Sequence, residues 1–534
     1  MPSARTAKFV EDSAPGDSTD TVNGFTPSPY QVKILNWFKG ERNKQHLIVR
    51  ARAGTSKTST LIAAVKHAPE SNILVCAFTK IIADELKDRL DNPRAKAQTL
   101  HSLGFQALRE HGGYAYSKMA DPKWKRERAL ADSTGMPFAA KKLVGKLITK
   151  ARELTPVGAT VGSLIDLAQD FNLDPPEGSF YTTKDIAAAT LRALEVAKQP
   201  PTTGVDYADM MYLPLVMGWL KPQFDMVVVD ELQDFTLSQL RMALAVLKPY
   251  GAFVGLGDDR QNVFGFRGSC HDGLDRMKKE LDAEELPLSM TYRCPKSVVA
   301  LAQKYVPDFE VAETAPEGIV DSVREITDIV RLAAPGDFVL SRTNAPLAKV
   351  AMALLRAKKR AKIRGRDIGE GLRKLVEQLA AGKDVNTVCN FLTALTRWEE
   401  REVARLQKLE QDERVPAIED KAATLRALAV GAEQVDHIND RIDYLFSDHG
   451  EESVYCSTVH RAKGLESNRV FVLRSTFFGF VACECGHRHK KAQCSKCSCK
   501  AYVKDEAAAQ EERNLAYVAA TRSKHHLTYL DEII

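Results

Sequence analysis

The sequence predicts an α/β fold in which helices wrap a parallel sheet, and three features carry that prediction. The apolar run Leu47-Ile48-Val49 passes through a small-residue turn into the helix-like Leu61-Ile62-Ala63-Ala64-Val65. A second apolar run, Ile73 to Phe78, is followed by a helical pattern from Ile81 to Leu90. Two later runs, within Phe224 to Val229 and from Ala252 to Leu256, are again short and apolar. Short apolar runs that alternate with helical periods read as buried strands joined by crossovers, which makes the strands parallel.

With 534 residues the chain is too long for a single core, so several domains are expected. Its 44% hydrophobic and 27% charged residues exclude a fibrous or wholly disordered protein. The formal net charge of +5 is small for this length, so affinity for nucleic acid must come from a local groove. No apolar run reaches the roughly 18 to 20 residues that span a bilayer, since Val470 to Ala482 is short and broken by Arg474. The first residues lack a signal-peptide core, and no membrane role is expected. Cys76, Cys270, Cys294, Cys389 and Cys456 are widely spaced, as reduced thiols of a cytoplasmic, intracellular protein would be.

Residues 1–23 are rich in Ser, Thr, Asp, Gly and Pro without periodicity and read as a disordered tail. Tyr30-Gln31 opens a helical run, and the Gln31 amide has the paired donor and acceptor that an adenine edge requires, although such a glutamine is commonly a helix-surface residue. The turn after the first strand is Ala51-Arg-Ala-Gly-Thr-Ser-Lys-Thr58. A strand, a small-residue turn ending in Lys-Thr and a helix make a phosphate-binding loop. The backbone N–H groups of Ala53, Gly54, Thr55, Ser56 and Ser59 and the helix N-terminus face phosphate, Lys57 adds a charge, and Thr58 offers Mg²⁺ a hydroxyl. Ala51 and Ser56 stand where the G-x-x-x-x-G-K-[ST] pattern has glycine. A nucleoside triphosphatase is the chemistry this implies.

From Phe105 to about Gln199 the sequence turns helical, with basic clusters at Lys123-Trp-Lys-Arg126 and Lys141-Lys142. Trp124 among lysines could stack on bases, but a solvated helix face is the plainer reading. The strand in Phe224-Asp-Met-Val-Val-Val-Asp-Glu-Leu-Gln-Asp234 delivers Asp230 and Glu231 at its C-terminal end, where open α/β sheets bind ligands. Asp230 suits Mg²⁺, and Glu231 suits the attacking water. After the strand Ala252 to Leu256, the loop Gly257 to Gly268 offers the Gln261 amide near the γ-phosphate. The same loop sets Phe264 and Phe266 beside Arg267, a base-stacking platform in which one phenylalanine could equally be core.

Further motifs follow in the order Thr291-Tyr-Arg293, Phe338-Val-Leu-Ser-Arg-Thr-Asn344, Ser457-Thr-Val-His-Arg-Ala-Lys-Gly-Leu-Glu466 and Glu512 to Arg522 with its Tyr-Val-Ala-Ala-Thr-Arg ending. From about Thr26 onward the chain resembles the UvrD/Rep/PcrA-like helicases of superfamily 1. The resemblance implies two RecA-like parallel-sheet motor domains with helical insertions, and an ATP-dependent DNA helicase that moves 3′ to 5′ along single-stranded DNA. By it, Gln31 and Tyr292 contact adenine, Glu466 the ribose, Lys57, Thr58 and Asp230 phosphate and Mg²⁺, Glu231 the water, and Gln261 the γ-phosphate. Arg293 and Arg522 would be arginine fingers from the second motor domain. Single-stranded DNA would touch Phe78, Thr79, His101, Phe264, Phe266, Arg267, Asn344 and His460, and junctions of single- and double-stranded DNA would be partners of a monomer. The rival reading is a nucleic-acid clamp or remodeller with weak ATPase, which the Ser56 departure favours.

The implied boundaries are 24–104 and 205–285 for the first motor domain around a helical insertion at 105–204. The second motor domain occupies 286–374 and 450–534 around a short accessory insertion at 375–449. One segment has no reason in that template: Cys483-Glu-Cys-Gly-His-Arg-His-Lys-Lys-Ala-Gln-Cys-Ser-Lys-Cys-Ser-Cys499. Cys-x-Cys followed by Cys-x-x-Cys supplies two thiolate edges for tetrahedral Zn²⁺. A structural zinc insertion at 483–499 is therefore expected, with Cys483, Cys485, Cys494 and Cys497 as ligands and His487, His489 or Cys499 as substitutes.

Overall fold

The computed structural model describes residues 21–22, 24, 26–120, 125–171, 173–175, 179–202, 204–263, 273–381, 385, 387–408, 414–447, 452–477, 481–483, 488–489, 502–504 and 506–530. The chain divides into two compact units between Met290 and Thr291.

The first unit is built on a six-stranded sheet. Its strands are β1 (Leu47–Ala51), β2 (Ile73–Ala77), β3 (Ala95–Thr99), β4 (Phe224–Val229), β5 (Leu247–Gly257) and β6 (Glu284–Leu288), in the order β3-β2-β4-β5-β1-β6. Every pairing is parallel, with Leu47 opposite Val254 and Cys76 opposite Val229. Because side chains alternate across a strand, the continuous apolar runs feed two cores. Val49, Val75, Val228 and Val254 pack with Leu35, Trp37, Phe38, Leu61 and Val65 on one face. Ile48, Leu74, Val227, Val229 and Phe253 face the opposite way and join Leu147, Ile148, Leu164 and Ile186 of the helical segment. The helices that interrupt the first unit thus share their core with the sheet.

A buried ion network reinforces that junction. Arg152, fully buried, lies 2.8 Å from Asp209 and 2.9 Å from Asp206, and Arg126 lies 2.8 Å from the other Asp209 oxygen. Burial pushes the Asp209 carboxyl up against the pull of Arg152. Residues Thr99 to Ser102 start a helix, Leu100–Gly112, because the Thr99 hydroxyl accepts the Ser102 N–H at 3.1 Å and caps it.

The second unit also carries a six-stranded, all-parallel sheet. Its order is Ala361–Ile363, Val454–Thr458, Phe338–Ser341, Ser467–Leu473, Ser523–Leu530, Ile319–Val323. Val339, Cys456, Phe471 and Leu530 form one core with helices Asn344–Arg356, Arg366–Ala380, Val415–Ala429 and Val435–Leu445. Residue 375, the expected start of the accessory insertion, falls inside helix Arg366–Ala380, whose buried residues Leu372, Leu375, Val376 and Leu379 recur at helical spacing.

Near the chain's end, Arg488–His489, Val481–Cys483 and Tyr502–Lys504 form a small antiparallel sheet, with Cys483 opposite Tyr502. The strands Val481–Cys483 and Tyr502–Lys504 therefore bring together the two ends of the cysteine-rich segment. Of its expected zinc ligands, Cys485, Cys494 and Cys497 lie outside the described residues. Among the described residues no cluster of His, Cys, Asp or Glu could hold a metal, and no helix is long and apolar enough to cross a membrane.

Candidate nucleotide and nucleic-acid site

The phosphate loop follows β1, and helix Lys57–His67 leaves it at once. Ser56, the residue before that helix, has φ 60° and ψ 39°. This left-handed conformation is the one that glycine adopts without steric cost, which explains why the pattern has glycine there. Gly54 is also left-handed, at φ 69°. Ala53 and Thr55 are buried, and the Thr55 hydroxyl donates to the Arg52 carbonyl at 2.9 Å, closing the loop on itself. Ser59 sits in the first turn of the helix, where Arg89 donates to its hydroxyl at 3.4 Å.

The carboxylates arrive from β4. Asp230 is buried and accepts the Thr58 hydroxyl at 3.4 Å. Burial and the neighbouring Glu231 push its pKa up to about 7, against the pull of Lys57. Glu231 has φ 53°, a second left-handed non-glycine residue at the same site. It lies 3.4 Å from Lys57 Nζ and accepts from Gln233 Nε2 at 2.5 Å. Held conformations of this kind cluster at functional sites because the surrounding bonds over-determine them.

The third strand end belongs to β5. Gln261 Nε2 donates to Asp258 at 2.6 Å, and Asp258 N–H donates to Gln233 Oε1 at 3.0 Å. A Cβ at Gly257 would come within 2.4 Å of Gln233 Oε1 and push that amide away from the Asp258 N–H. Arg52, only 4% exposed, lies 3.2 Å from Asp258 and 2.7 Å from Asp259. Burial raises the Asp258 pKa, and Arg52 opposes it; burial works the same way on Asp259, but Arg52 and Arg50 hold that carboxyl below its ordinary value. The structure therefore brings Lys57, Thr58, Asp230, Glu231 and Gln261 to the C-terminal ends of β1, β4 and β5. Gln233, Arg52 and Asp258, which connect them, were given no role from the sequence, although Gln233 belongs to the Asp-Glu-x-Gln-Asp stretch and Arg52 to the phosphate loop.

Gln31 is 2% exposed, and its amide is engaged: Oε1 accepts the Ser28 N–H at 2.9 Å and Nε2 donates to the Thr60 hydroxyl at 2.9 Å. It thus connects its own helix cap to the helix behind the phosphate loop. Phe78 packs edge-on against Phe235 at 5.9 Å, and exposed Thr79 caps helix Lys80–Arg89. His101 packs edge-on against Tyr207 at 5.8 Å, and burial lowers its pKa. Phe264, Phe266 and Arg267 lie outside the described residues.

In the second unit, Arg293 Nε donates to Glu466 at 2.5 Å, and Lys524 pairs with the other Glu466 oxygen. Despite burial, these two cations hold the Glu466 carboxyl below its ordinary pKa. Arg522 is 1% exposed and donates to the carbonyls of Val518 at 2.9 Å and Leu465 at 3.1 Å. Cys294, next to Arg293, lies 3.7 Å from the Thr521 carbonyl, so the two arginine motifs are adjacent. Tyr292 is 48% exposed. The amide of Asn344 donates to Asp420 at 2.9 Å, and the backbone N–H groups of Asn344 and Ala345 donate to the same carboxylate. His460 approaches Glu511 at 4.0 Å. Lys524 and Asp420 carry no motif and were not foreseen.

Comparison with known proteins agrees with this arrangement. The UvrD/REP helicase N-terminal domain family matches residues 38–282, and the UvrD-like helicase C-terminal domain family matches residues 367–530. A probable DNA helicase II homolog of Mycoplasma pneumoniae is 22% identical over 51% of this chain and 41% of its own length. The F-box DNA helicase protein 1 of Schizosaccharomyces pombe is 23% identical over 91% of this chain and 56% of its own. The putative ATP-dependent DNA helicase YjcD of Bacillus subtilis is 23% identical over 90% of this chain and 76% of its own. The first two relatives are thus spanned over only about half of their length. The N- and C-terminal domain families together cover most of the chain, on two separate parallel sheets, and the chain belongs to the UvrD/Rep/PcrA-like helicases of superfamily 1.

Proposed function

We propose that the chain is an ATP-dependent DNA helicase and translocase, moving 3′ to 5′ on single-stranded DNA and coupling ATP hydrolysis to opening of the duplex at junctions. The observation that carries this reading is the constellation of Lys57, Thr58, Asp230, Glu231 and Gln261 at neighbouring strand ends in a chain with both helicase domain families. Thr58 Oγ1 and Asp230 Oδ2 are hard oxygen donors 3.4 Å apart at a strand end, so the pair fits Mg²⁺. Mg²⁺ held by Thr58 and Asp230 would neutralise charge on the phosphates. Lys57 binds phosphate, Glu231 orients and deprotonates the attacking water, and Gln261 reads the γ-phosphate. We assign Arg293 and Arg522 to the charge that develops on the transferred phosphoryl, Glu466 to the ribose, and Gln31 and Tyr292 to adenine.

Phe78, Thr79, His101, Phe264, Phe266, Arg267, Asn344 and His460 are assigned to single-stranded DNA. Zn²⁺ at Cys483, Cys485, Cys494 and Cys497 is supported by the donor set, since four closely spaced thiolates suit tetrahedral zinc. A clamp with slow turnover is the second reading, favoured by the left-handed Ser56 in the phosphate turn.

Steady-state ATPase with and without single-stranded DNA, with strand separation on 3′- and 5′-tailed duplexes, separates the two. The first reading expects DNA-stimulated hydrolysis and opening of the 3′-tailed duplex. Glu231→Gln should lower turnover by about 10²- to 10⁴-fold while ATP still binds. Parental turnover in Glu231→Gln would show that the water is handled elsewhere.

A further inference from the structure

The phosphate loop contains a cation besides Lys57. Arg52 lies within Ala51 to Thr58, yet its side chain is buried and directed at the neighbouring strand end. A single nitrogen, NH1, reaches both Asp258 at 3.2 Å and Asp259 at 2.7 Å. Asp258, with no exposed surface, divides its carboxylate: Oδ1 takes Arg52, and Oδ2 takes the amide nitrogen of Gln261 at 2.6 Å. Its backbone N–H is fixed by Gln233, whose other amide atom holds Glu231.

A buried carboxylate is stable as an anion only beside a cation, and the bonds it makes to other groups depend on that cation staying in place. The backbone of Arg52 is itself held, by its N–H to the Leu288 carbonyl at 2.9 Å and by Thr55 at its own carbonyl. The arginine is therefore a rigid strut from the phosphate loop, and Asp258 is the joint between that strut and Gln261.

We infer that Arg52 is a positioning residue for hydrolysis: through Asp258 it sets the place of the Gln261 amide relative to the phosphate loop, so that the γ-phosphate is read by a side chain registered to the loop itself. The inference rests on the reading of this site as an ATPase. It adds a residue that acts on Gln261 through Asp258, and it predicts a particular pattern among variants. NH1 makes both carboxylate contacts and lysine keeps the charge that Asp258 faces, so lysine can carry the link to Asp258, whereas alanine cannot.

The test uses the full chain with two measurements, the ATPase in the presence of single-stranded DNA and the affinity for Mg·ADP with and without beryllium fluoride. Arg52→Ala should lower kcat about tenfold, with KM for ATP changed less than about threefold; that loss corresponds to about 1.4 kcal/mol. Arg52→Lys should stay within about threefold of the parent. Asp258→Asn should resemble Arg52→Ala, and the double variant should be no slower than either, as residues in one network behave. Beryllium fluoride, which fills the γ-phosphate position, should tighten ADP binding less in Arg52→Ala than in the parent, by about tenfold.

Parental kcat in Arg52→Ala, an Arg52→Lys as slow as Arg52→Ala, or multiplying effects of Arg52→Ala and Asp258→Asn would each overturn the inference. A change confined to KM and melting temperature would do the same, because it marks a merely structural pair. If Arg52→Ala does not fold, Arg52→Lys and Asp258→Asn carry the same decision. A parent that binds ADP no more tightly with beryllium fluoride, and hydrolyses no ATP, overturns the ATPase reading instead.

Discussion

Ser56 and Glu231 are among the few non-glycine residues of the described chain with positive φ, and both border the phosphate site. At Ser56 the balance of two effects decides the sign of a substitution. Glycine would relieve roughly 1–2 kcal/mol of left-handed strain, and it would return roughly 0.4–1 kcal/mol of chain entropy to the unfolded state. Ser56→Gly should therefore stabilise the protein by roughly 0 to 1.6 kcal/mol and keep or raise kcat, as denaturant midpoints and steady-state ATPase would show. A large fall in kcat would give the hydroxyl a role of its own. Asp230 makes a prediction about pH. Its folded pKa is raised from 3.8 to about 7 by burial and by Glu231, so the folded state holds the proton more tightly than the unfolded chain. The stability it contributes is complete below 3.8 and is lost as pH rises toward about 7. In nucleotide-free protein without Mg²⁺, the stability of the parent relative to Asp230→Asn should fall across that window, and Mg²⁺ should restore it at the upper end. A difference independent of pH would mean that Asp230 titrates at its ordinary value.

The strands Val481–Cys483 and Tyr502–Lys504 pair with each other, so the cysteine-rich segment leaves and re-enters a small antiparallel sheet. A bound metal that crosslinks thiolates would supply folding free energy to the segment between those two strands. Protein purified without chelator should contain about one equivalent of zinc. Removal of the metal should expose residues 484–500 to protease while the two large sheets keep their protection. Less than about half an equivalent in folded protein would rule out a structural zinc site.

Among the described residues, hydrophobic cores run within Val22 to Leu288 in the first unit and within Ile329 to Leu530 in the second. Cooperative unfolding follows the extent of a shared core, so two calorimetric transitions are expected. Lys57, Thr58, Asp230, Glu231 and Gln261 all lie in the first unit. A non-hydrolysable nucleotide at about a hundred times its dissociation constant should stabilise that unit by about 2.7 kcal/mol and shift its transition upward. A single transition that shifts as a whole would show that the units unfold together.

The sequence by itself determined the strands β1, β2, β4 and β5, because buried parallel strands are written as unbroken apolar runs. It also determined the phosphate loop and the Asp230-Glu231 pair, because each is a few adjacent residues at a strand end. The order of the motifs was enough to place the chain in its family. Only the tertiary structure decided how those pieces are connected. Arg52 and Asp258 are 206 residues apart, and Asn344 and Asp420 are 76 apart, yet each pair shares a carboxylate bond. Gln31, readable as a base contact, turned out to hold a helix cap and Thr60 as well. A hydrogen bond is satisfied by whichever donor and acceptor the fold brings within about 3 Å, and no local periodicity encodes that choice. Local pattern therefore fixes elements and motif chemistry, whereas the partners that position the catalytic groups are set by how distant strand ends converge on one edge of a sheet.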